Sequence, residues 1–275
     1  MQLINLNRYP IHQAGPARDA LLDHVRDELA QDGCAVLKGF LTPAGVAALT
    51  AEAEGVAHKG HRSFNRTNAY FTLDDPDLPE DDPRRQFFDR SNAFIAADNF
   101  AADGALRQIH DFQGFDAFIQ DCLQEVRFFR YADPLADVIV NMAEAGNGFP
   151  WHFDTNNFTV TLAIQNATAG GAFEYAPGIR EGGEHFEEVA RVLAGTSDRV
   201  KVLHLEPGDL QLFRGRYSLH RVAPLSGDQR RYVAIFSYVE EPGMVGRPER
   251  VRQLYGRTLP IHHEREALRA DAYID

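Results

Sequence analysis

Apolar positions at helical spacing open the chain. Leu21, Leu22, Val25 and Leu29 recur between about Ala17 and Leu29, and DGC then breaks the pattern before a short apolar run from Ala35 to Leu37. That order predicts a helix followed by a strand. Thr42 suits the cap of a second helix, with Pro43 at its first position, Val46, Leu49 and Ala53 along its buried stripe, and an end near Gly55. From His58 to Asn99 the periodicity fades into alternating Asn, Asp, Arg, Pro and Phe, including the Pro-broken acidic stretch LDDPDLPEDDPRR. This stretch is expected to form long loops that act as a lid, and its aromatic residues (Phe64, Tyr70, Phe71, Phe87, Phe88, Phe94) argue that they are ordered.

Helical spacing returns with Leu106, Ile109, Phe115, Phe118, Ile119, Cys122 and Leu123, and Gly114 marks a break. Beyond Val126 the texture changes to short alternating or β-branched segments: VRFFRYA, ADVIVNMAEA, FTVTLAIQNA, GAFEYAP, VKVLHLEPG, DLQLFRG and YVAIFSYVE. Gly, Pro, Asn and Asp punctuate them closely, the signature of a sandwich or barrel, with one helical insertion at about His185 to Leu193. The fold class is therefore mainly β with flanking helices (α+β). The charged tail from Glu264 to Asp275 offers Leu268 and little else apolar, which predicts a marginal or frayed helix.

Composition bounds this picture. With 275 residues, 44% apolar and 25% charged, the chain can bury a large core without disulfides or structural zinc. We expect one domain over 1–275: an N-terminal helix, strand and helix (1–57), lid loops and support helices (58–126), the β core (127–241) and a C-terminal extension (242–275). A formal net charge of −12 disfavours nucleic acid as a partner. Cys34 and Cys122 stand far apart with no metal-binding spacing and read as buried thiols of a reducing compartment. No stretch has the ~18 uninterrupted apolar residues of a membrane span, so a cytoplasmic protein without membrane partners is expected.

The candidate chemistry lies in WHFDTN. His152 and Asp154 are two residues apart, so on a strand their side chains leave the same face and can converge on one ion. A second histidine, His220, follows in GRYSLHRVAP, where a strand pattern gives way to a turn. Two histidines and one carboxylate around a metal with open positions are the arrangement of non-haem Fe(II) oxygenases. Arg230 and Arg231 then stand at the start of YVAIFSY, where a guanidinium projecting into a barrel suits a dicarboxylate.

Taken together, HFD, His220 and Arg231, with GGAFEYAP and EPGDLQLFRGRYSLHRVAPLSGDQRR between them, resemble the Fe(II)/2-oxoglutarate-dependent oxygenase superfamily. WHFDTNNFTVTLAIQ is similar to the branch of free-amino-acid hydroxylases and halogenases. The resemblance is strong over 137–240, and LAQDGCAVLKGFLTPAGVAAL is similar to the N-terminal helix and strand of many members. It implies a double-stranded β-helix, a jelly roll. It makes His152, Asp154 and His220 the ligands of Fe(II), with 2-oxoglutarate and O2 as co-substrates. Arg231 becomes the clamp on 2-oxoglutarate, with Arg230 as the alternate. Arg231 is preferred because it is in phase with Val233 and Ile235. Related halogenases carry Gly or Ala in place of the carboxylate, so Asp154 disfavours halogenation.

Supporting roles are open. Asn141 and Thr161 are candidates for the co-substrate pocket, and Gln165 for the pocket lining. Arg62, Arg66, Asn68, Tyr70 and Arg90 form a mix suited to a small zwitterion. The resemblance implies hydroxylation of an amino acid or similar metabolite, releasing succinate and CO2. Desaturation, cyclisation and action on a macromolecule stay open, as does a cupin-like module that binds metal without turnover.

Overall fold

A computed structural model describes residues 2–266, and the local rules set out above account for its first elements. Helix α1 (Pro16–Asp32) begins on Pro16 and buries Leu22, Val25 and Leu29. It stops where Gly33, at φ 63°, takes the left-handed turn and donates its N–H to Leu29. Thr42 Oγ1 accepts the Gly45 N–H at 3.0 Å to cap α2 (Pro43–Val56), which buries Leu49 and Ala53. Helices α3 (Ala105–His110) and α4 (Phe115–Leu123) divide at Gly114, whose φ is 94°.

Eleven strands carry the architecture. In chain order they are β1 (Cys34–Leu37), β2 (His61–Thr67), β3 (Phe88–Ile95), β4 (Val138–Ala143), β5 (Phe149–His152) and β6 (Thr159–Gln165). There follow β7 (Phe173–Ala176), β8 (Lys201–Leu203), β9 (Leu210–Phe213), β10 (Leu219–Val222) and β11 (Arg231–Phe236). The large sheet has seven strands in the order β1-β9-β6-β11-β4-β3-β2, and the small sheet has four in the order β8-β7-β10-β5. Every pairing in both is antiparallel.

Alternation along the strands sorts the large sheet into two faces. Val138, Val140, Met142, Val160, Leu162, Leu210, Leu212, Tyr232, Ala234 and Phe236 pack with residues of α1 to α4 into the main core. The residues between them, including Asn141, Thr161, Gln211, Val233 and Ile235, stand on the inner face, with Val233 opposite Asn141 and Ile235 opposite Thr161. This is the double-stranded β-helix. Helix α5 (Phe186–Leu193) lies between β7 and β8 and buries Val189 and Val192 against Trp151, Phe153 and Ile179.

The segment expected as loops from His58 to Asn99 departs from that expectation. It supplies β2 and β3, paired from His61↔Phe94 to Thr67↔Phe88, which extend the large sheet beyond β4. The cause is position: β2 is an edge strand with residues partly exposed on both sides, so no apolar alternation marks it. Between these strands the stretch that contains the acidic Pro-broken segment is loop, apart from one turn of 3-10 helix at Pro83–Arg85.

Two short helices, α6 (Pro248–Tyr255) and α7 (Pro260–Glu266), follow the β core. Asp133, fully buried, ties them down: its carboxylate accepts the N–H groups of Leu135 (2.8 Å) and Gly246 (2.9 Å) and meets buried His262 at 3.1 Å. Of the charged tail, the part up to Glu266 is helical and the remainder lies outside the described residues. Both cysteines are buried and unbridged, and among the described residues no helix is long and apolar enough to cross a membrane.

Candidate metal centre

Neighbouring strands of the small sheet bring the two histidines together. β5 and β10 pair with His152 directly opposite His220, and the ring centroids are 4.1 Å apart. Each ring is held in the same way. His152 Nδ1 lies 2.8 Å from the Pro150 carbonyl and His220 Nδ1 lies 2.9 Å from the Ser218 carbonyl. An Nδ1–H that donates to a carbonyl leaves Nε2 unprotonated and available to a metal.

Asp154 lies past the end of β5, not on the strand, yet its carboxylate completes the group. Its Oδ1 is 3.5 Å from His152 Nε2 and 3.4 Å from His220 Nε2, and the three ligand atoms lie within 4.8 Å of one another. The backbone N–H of Asp154 donates to Gly215 at 3.1 Å, and any β-carbon at position 215 would collide with Asp154 Oδ2. Glycine is required there by this close approach. Thr159, the first residue of β6, donates its hydroxyl to the same Oδ2. One carboxylate oxygen is thus occupied and the other faces the histidines.

Electrostatics agree with this arrangement. Burial, then the neighbouring His220, pulls the His152 imidazole down to about 4, so it is neutral at pH 7. Burial alone would raise the Asp154 carboxyl, but the two imidazoles outweigh it and hold the group well below the usual carboxylate range. Two imidazole nitrogens and one anionic oxygen, without a thiolate, fit Fe(II).

The two candidate arginines of β11 part company. Arg231 is buried, stands in phase with Val233 and Ile235, and packs its stem near Gly171. Burial is the sole influence on its guanidinium, lowering it to about 10. Arg230, the alternate, is paired with Glu144 (2.8 Å) and Glu54 (3.5 Å) at the surface. Near Arg231 on the inner face, Asn141 donates to the Ala93 carbonyl at 3.3 Å. Thr161 donates to Gln211 at 3.0 Å, and Gln211 in turn reaches Cys34 Sγ at 3.4 Å.

The substrate candidates also divide. Arg62 is turned away, bound to Glu144 (2.7 Å) and Asn147 (2.5 Å). Arg66 is exposed on the edge strand. Asn68 is spent on its own loop: its carbonyl accepts the N–H groups of Tyr70 and Thr72, and its amide donates to Thr72 Oγ1 and Arg84 O. Gln165 donates to the Arg230 carbonyl at 3.0 Å and faces Glu54. These four do not reach the centre.

Arg90 does. A cavity of about 170 Å³ beside the ligands is walled by His152, Asp154, Arg90, Phe71, Phe149, Phe158, Ile235 and Tyr238, together with Arg250 of α6. It adjoins a larger lobe of about 540 Å³ that shares Phe71, Asp154, Phe158 and Tyr238 and is lined by Tyr70, Phe153, Arg180 and Arg216. Burial, and then the Arg250 charge, lowers the Arg90 guanidinium to about 9. The Tyr70 ring packs on Phe153 at 5.3 Å, and burial raises its hydroxyl.

Sequence reasoning passed over Thr159, Gln211, Gly215 and Arg250. Thr159 was within reach, because it is in phase with Thr161 along FTVTLAIQ. Arg250 carries no local signal.

The fold is shared with solved structures described as a non-heme alpha ketoglutarate dependent epimerase and a 2OG-Fe(II) oxygenase, and His152, Asp154 and His220 form a cluster that could hold a metal ion. The chain belongs to the family described as Halogenase D (HalD), which it matches over residues 17–246. No curated protein matches the sequence. Among solved structures it is similar to the epimerase SnoN of nogalamycin biosynthesis, at 16% identity and a TM-score of 0.55, over 81% of this chain and 83% of that one. AviO1 from Streptomyces viridochromogenes Tue57 gives 16% and 0.55, over 84% and 98%. HygX from Streptomyces hygroscopicus gives 11% and 0.54, over 82% and 89%. At these identities the likeness is one of fold.

Proposed function

We propose that the chain is an Fe(II)- and 2-oxoglutarate-dependent oxygenase that hydroxylates an unactivated C–H bond of a small polar metabolite, an amino acid or a derivative of one. The observation that carries this reading is that buried Arg231 belongs to the large sheet while His152 and His220, joined by Asp154, belong to the small one. A buried guanidinium influenced by burial alone suits the distal carboxylate of a dicarboxylate co-substrate. Two structural relatives point the same way: SnoN has been solved with Fe3+ and alpha ketoglutarate, and HygX with nickel and 2-oxoglutarate.

Bound iron would supply oxidation of the substrate C–H bond coupled to conversion of 2-oxoglutarate to succinate and CO2. The chain's own residues do the rest. The Pro150 and Ser218 carbonyls fix both imidazoles so that each Nε2 would be free to hold the metal. Thr159 donates to Asp154 Oδ2, so Oδ1 is the oxygen that would hold the metal. Phe71, Phe149 and Phe158 wall the cavity and limit water.

The family description makes halogenation the natural second reading. Asp154 favours hydroxylation, since its carboxylate occupies the position that a halide would need. A cavity of about 170 Å³ opening into one of about 540 Å³ favours a small molecule over a macromolecule.

The test is substrate-coupled succinate formation. Fe(II)-loaded protein is screened with amino acids and their acyl or phosphono derivatives, and products are examined for a gain of one oxygen. Binding of 2-oxoglutarate that depends on both Fe(II) and Arg231 is expected, with a hydroxylated product. Metal binding without any 2-oxoglutarate binding would reduce the protein to a cupin-like binding module, and a chlorinated product would overturn the role given to Asp154.

A further inference from the structure

Phe71 stands at φ 57°, in the left-handed region that a bulky aromatic residue rarely enters. Such a conformation persists only where its surroundings hold it, and here they do. Asn68, fully buried, accepts the N–H groups on either side of Phe71 through one oxygen, from Tyr70 at 3.0 Å and from Thr72 at 3.1 Å. Its amide donates to Thr72 Oγ1 at 2.8 Å and to the Arg84 carbonyl at 2.5 Å. The turn is also pinned to the metal frame, because the N–H of Phe153, the residue between His152 and Asp154, donates to the Ala69 carbonyl at 2.8 Å.

One ring is thereby given a fixed place. Phe71 packs on the His152 imidazole with centroids 5.5 Å apart, and it lines both the cavity of about 170 Å³ beside the ligands and the lobe of about 540 Å³ beyond it. Phe158 and Tyr238 line both spaces too. These two are set in the main core, where Phe128 stacks on them at 5.7 and 4.2 Å and the Tyr238 hydroxyl donates to Asp116 at 2.8 Å. The passage between the two spaces thus has one jamb built into the core and one held on a strained turn. A glycine at position 71 would take the same turn without strain, and what it would lack is the ring.

We propose that Phe71 is a specificity-determining residue, a ring that sets the width of the passage to the metal, and that Asn68 is the positioning residue that keeps it there. This rests on the oxygenase reading and adds how its substrate is selected. The part to be oxidised must pass Phe71, while the bulk of the molecule stays in the larger lobe with Tyr70, Phe153 and Arg180. Asn68 serves the site without reaching it.

The test uses Co(II)-loaded protein with 2-oxoglutarate saturating, so that the Arg231 side is filled. Imidazole and 4-phenylimidazole, which bind metals through the same kind of nitrogen, are titrated by the absorption of the cobalt and corrected for their affinities for aqueous Co(II). The parent is expected to take imidazole at least about tenfold more tightly than its phenyl derivative. Phe71→Gly, which keeps the turn, should level the two. Asn68→Ala should do the same, and in the double variant it should add nothing, because an effect routed through Phe71 vanishes with the ring. A merely structural Asn68 would weaken both probes together, and that outcome, or a preference untouched by Asn68→Ala, would overturn the positioning role. Equal affinities in the parent, or a preference that survives Phe71→Gly, would overturn the selection by width and leave the oxygenase reading standing. Failure of the parent to bind 2-oxoglutarate would overturn the oxygenase reading itself.

Discussion

The metal frame and the cavity wall are built on opposite plans. In the frame, His152 and His220 are register partners on adjacent strands, and each ring is fixed by the carbonyl two residues before it. In the wall, Arg90 comes from an extension of the large sheet, Phe71 from a loop at φ 57°, and Arg250 from a helix beyond the β core. Strand register makes the first nearly insensitive to its surroundings. The second depends on how three separate segments pack, so its residues can change without disturbing the ligands.

That contrast can be broken most severely at the frame. His220→Ala removes a ligand. It should lower metal affinity by well over the ~100-fold typical of residues that merely orient a ligand, and abolish turnover while the circular dichroism spectrum is kept. Arg231→Leu should weaken 2-oxoglutarate by roughly 30-fold to several-thousand-fold, as read by anaerobic titration. Arg231→Lys should recover only part, because an ammonium cannot make the forked contact. Normal 2-oxoglutarate affinity in Arg231→Leu would remove the frame's second half.

Thr159→Val probes the join between the two plans. Freed of its hydroxyl partner, Asp154 Oδ2 can also turn to the metal, so activity should fall by about 10- to 100-fold. The absorption spectrum of the Co(II)-substituted protein should shift with it, and Thr159→Ser should restore both. An unchanged spectrum would reduce Thr159 to a packing residue. The smallest effect is expected at Arg62, whose partly exposed pair with Glu144 lies outside the wall. Arg62→Ala should leave the KM for substrate unchanged and alter stability by less than about 1 kcal/mol. A large rise in KM would extend the wall to β2.

Legibility in the sequence follows the same division. His152, Asp154 and His220 were readable because a period of two and a strand-to-turn boundary are local facts, and Arg231 could be told from Arg230 by its phase with Val233 and Ile235. The β2 and β3 strands were not readable. Edge position leaves His61–Thr67 partly solvated on both faces, and the inner side of β3 includes a buried arginine where an apolar residue would have marked the pattern. Asn68 looked like a ligand for substrate because residue type does not reveal that all its hydrogen bonds are taken within four residues and by Arg84. Arg250 was invisible for a different reason: its neighbour Arg90 is 160 positions away, and no periodicity spans that distance.

The buried Asp133 carboxylate, which binds Leu135, Gly246 and His262 at once, has a consequence for how such a protein diversifies. It works as a socket at the mouth of the β core into which a C-terminal segment plugs, bringing whatever side chain occupies position 250 to the cavity. Exchange of that segment among related chains, with its Gly246 and His262 contacts kept, would refit the cavity for a new substrate while every ligand stayed in place. Selection could then act on a cassette of some twenty residues instead of on the sandwich itself.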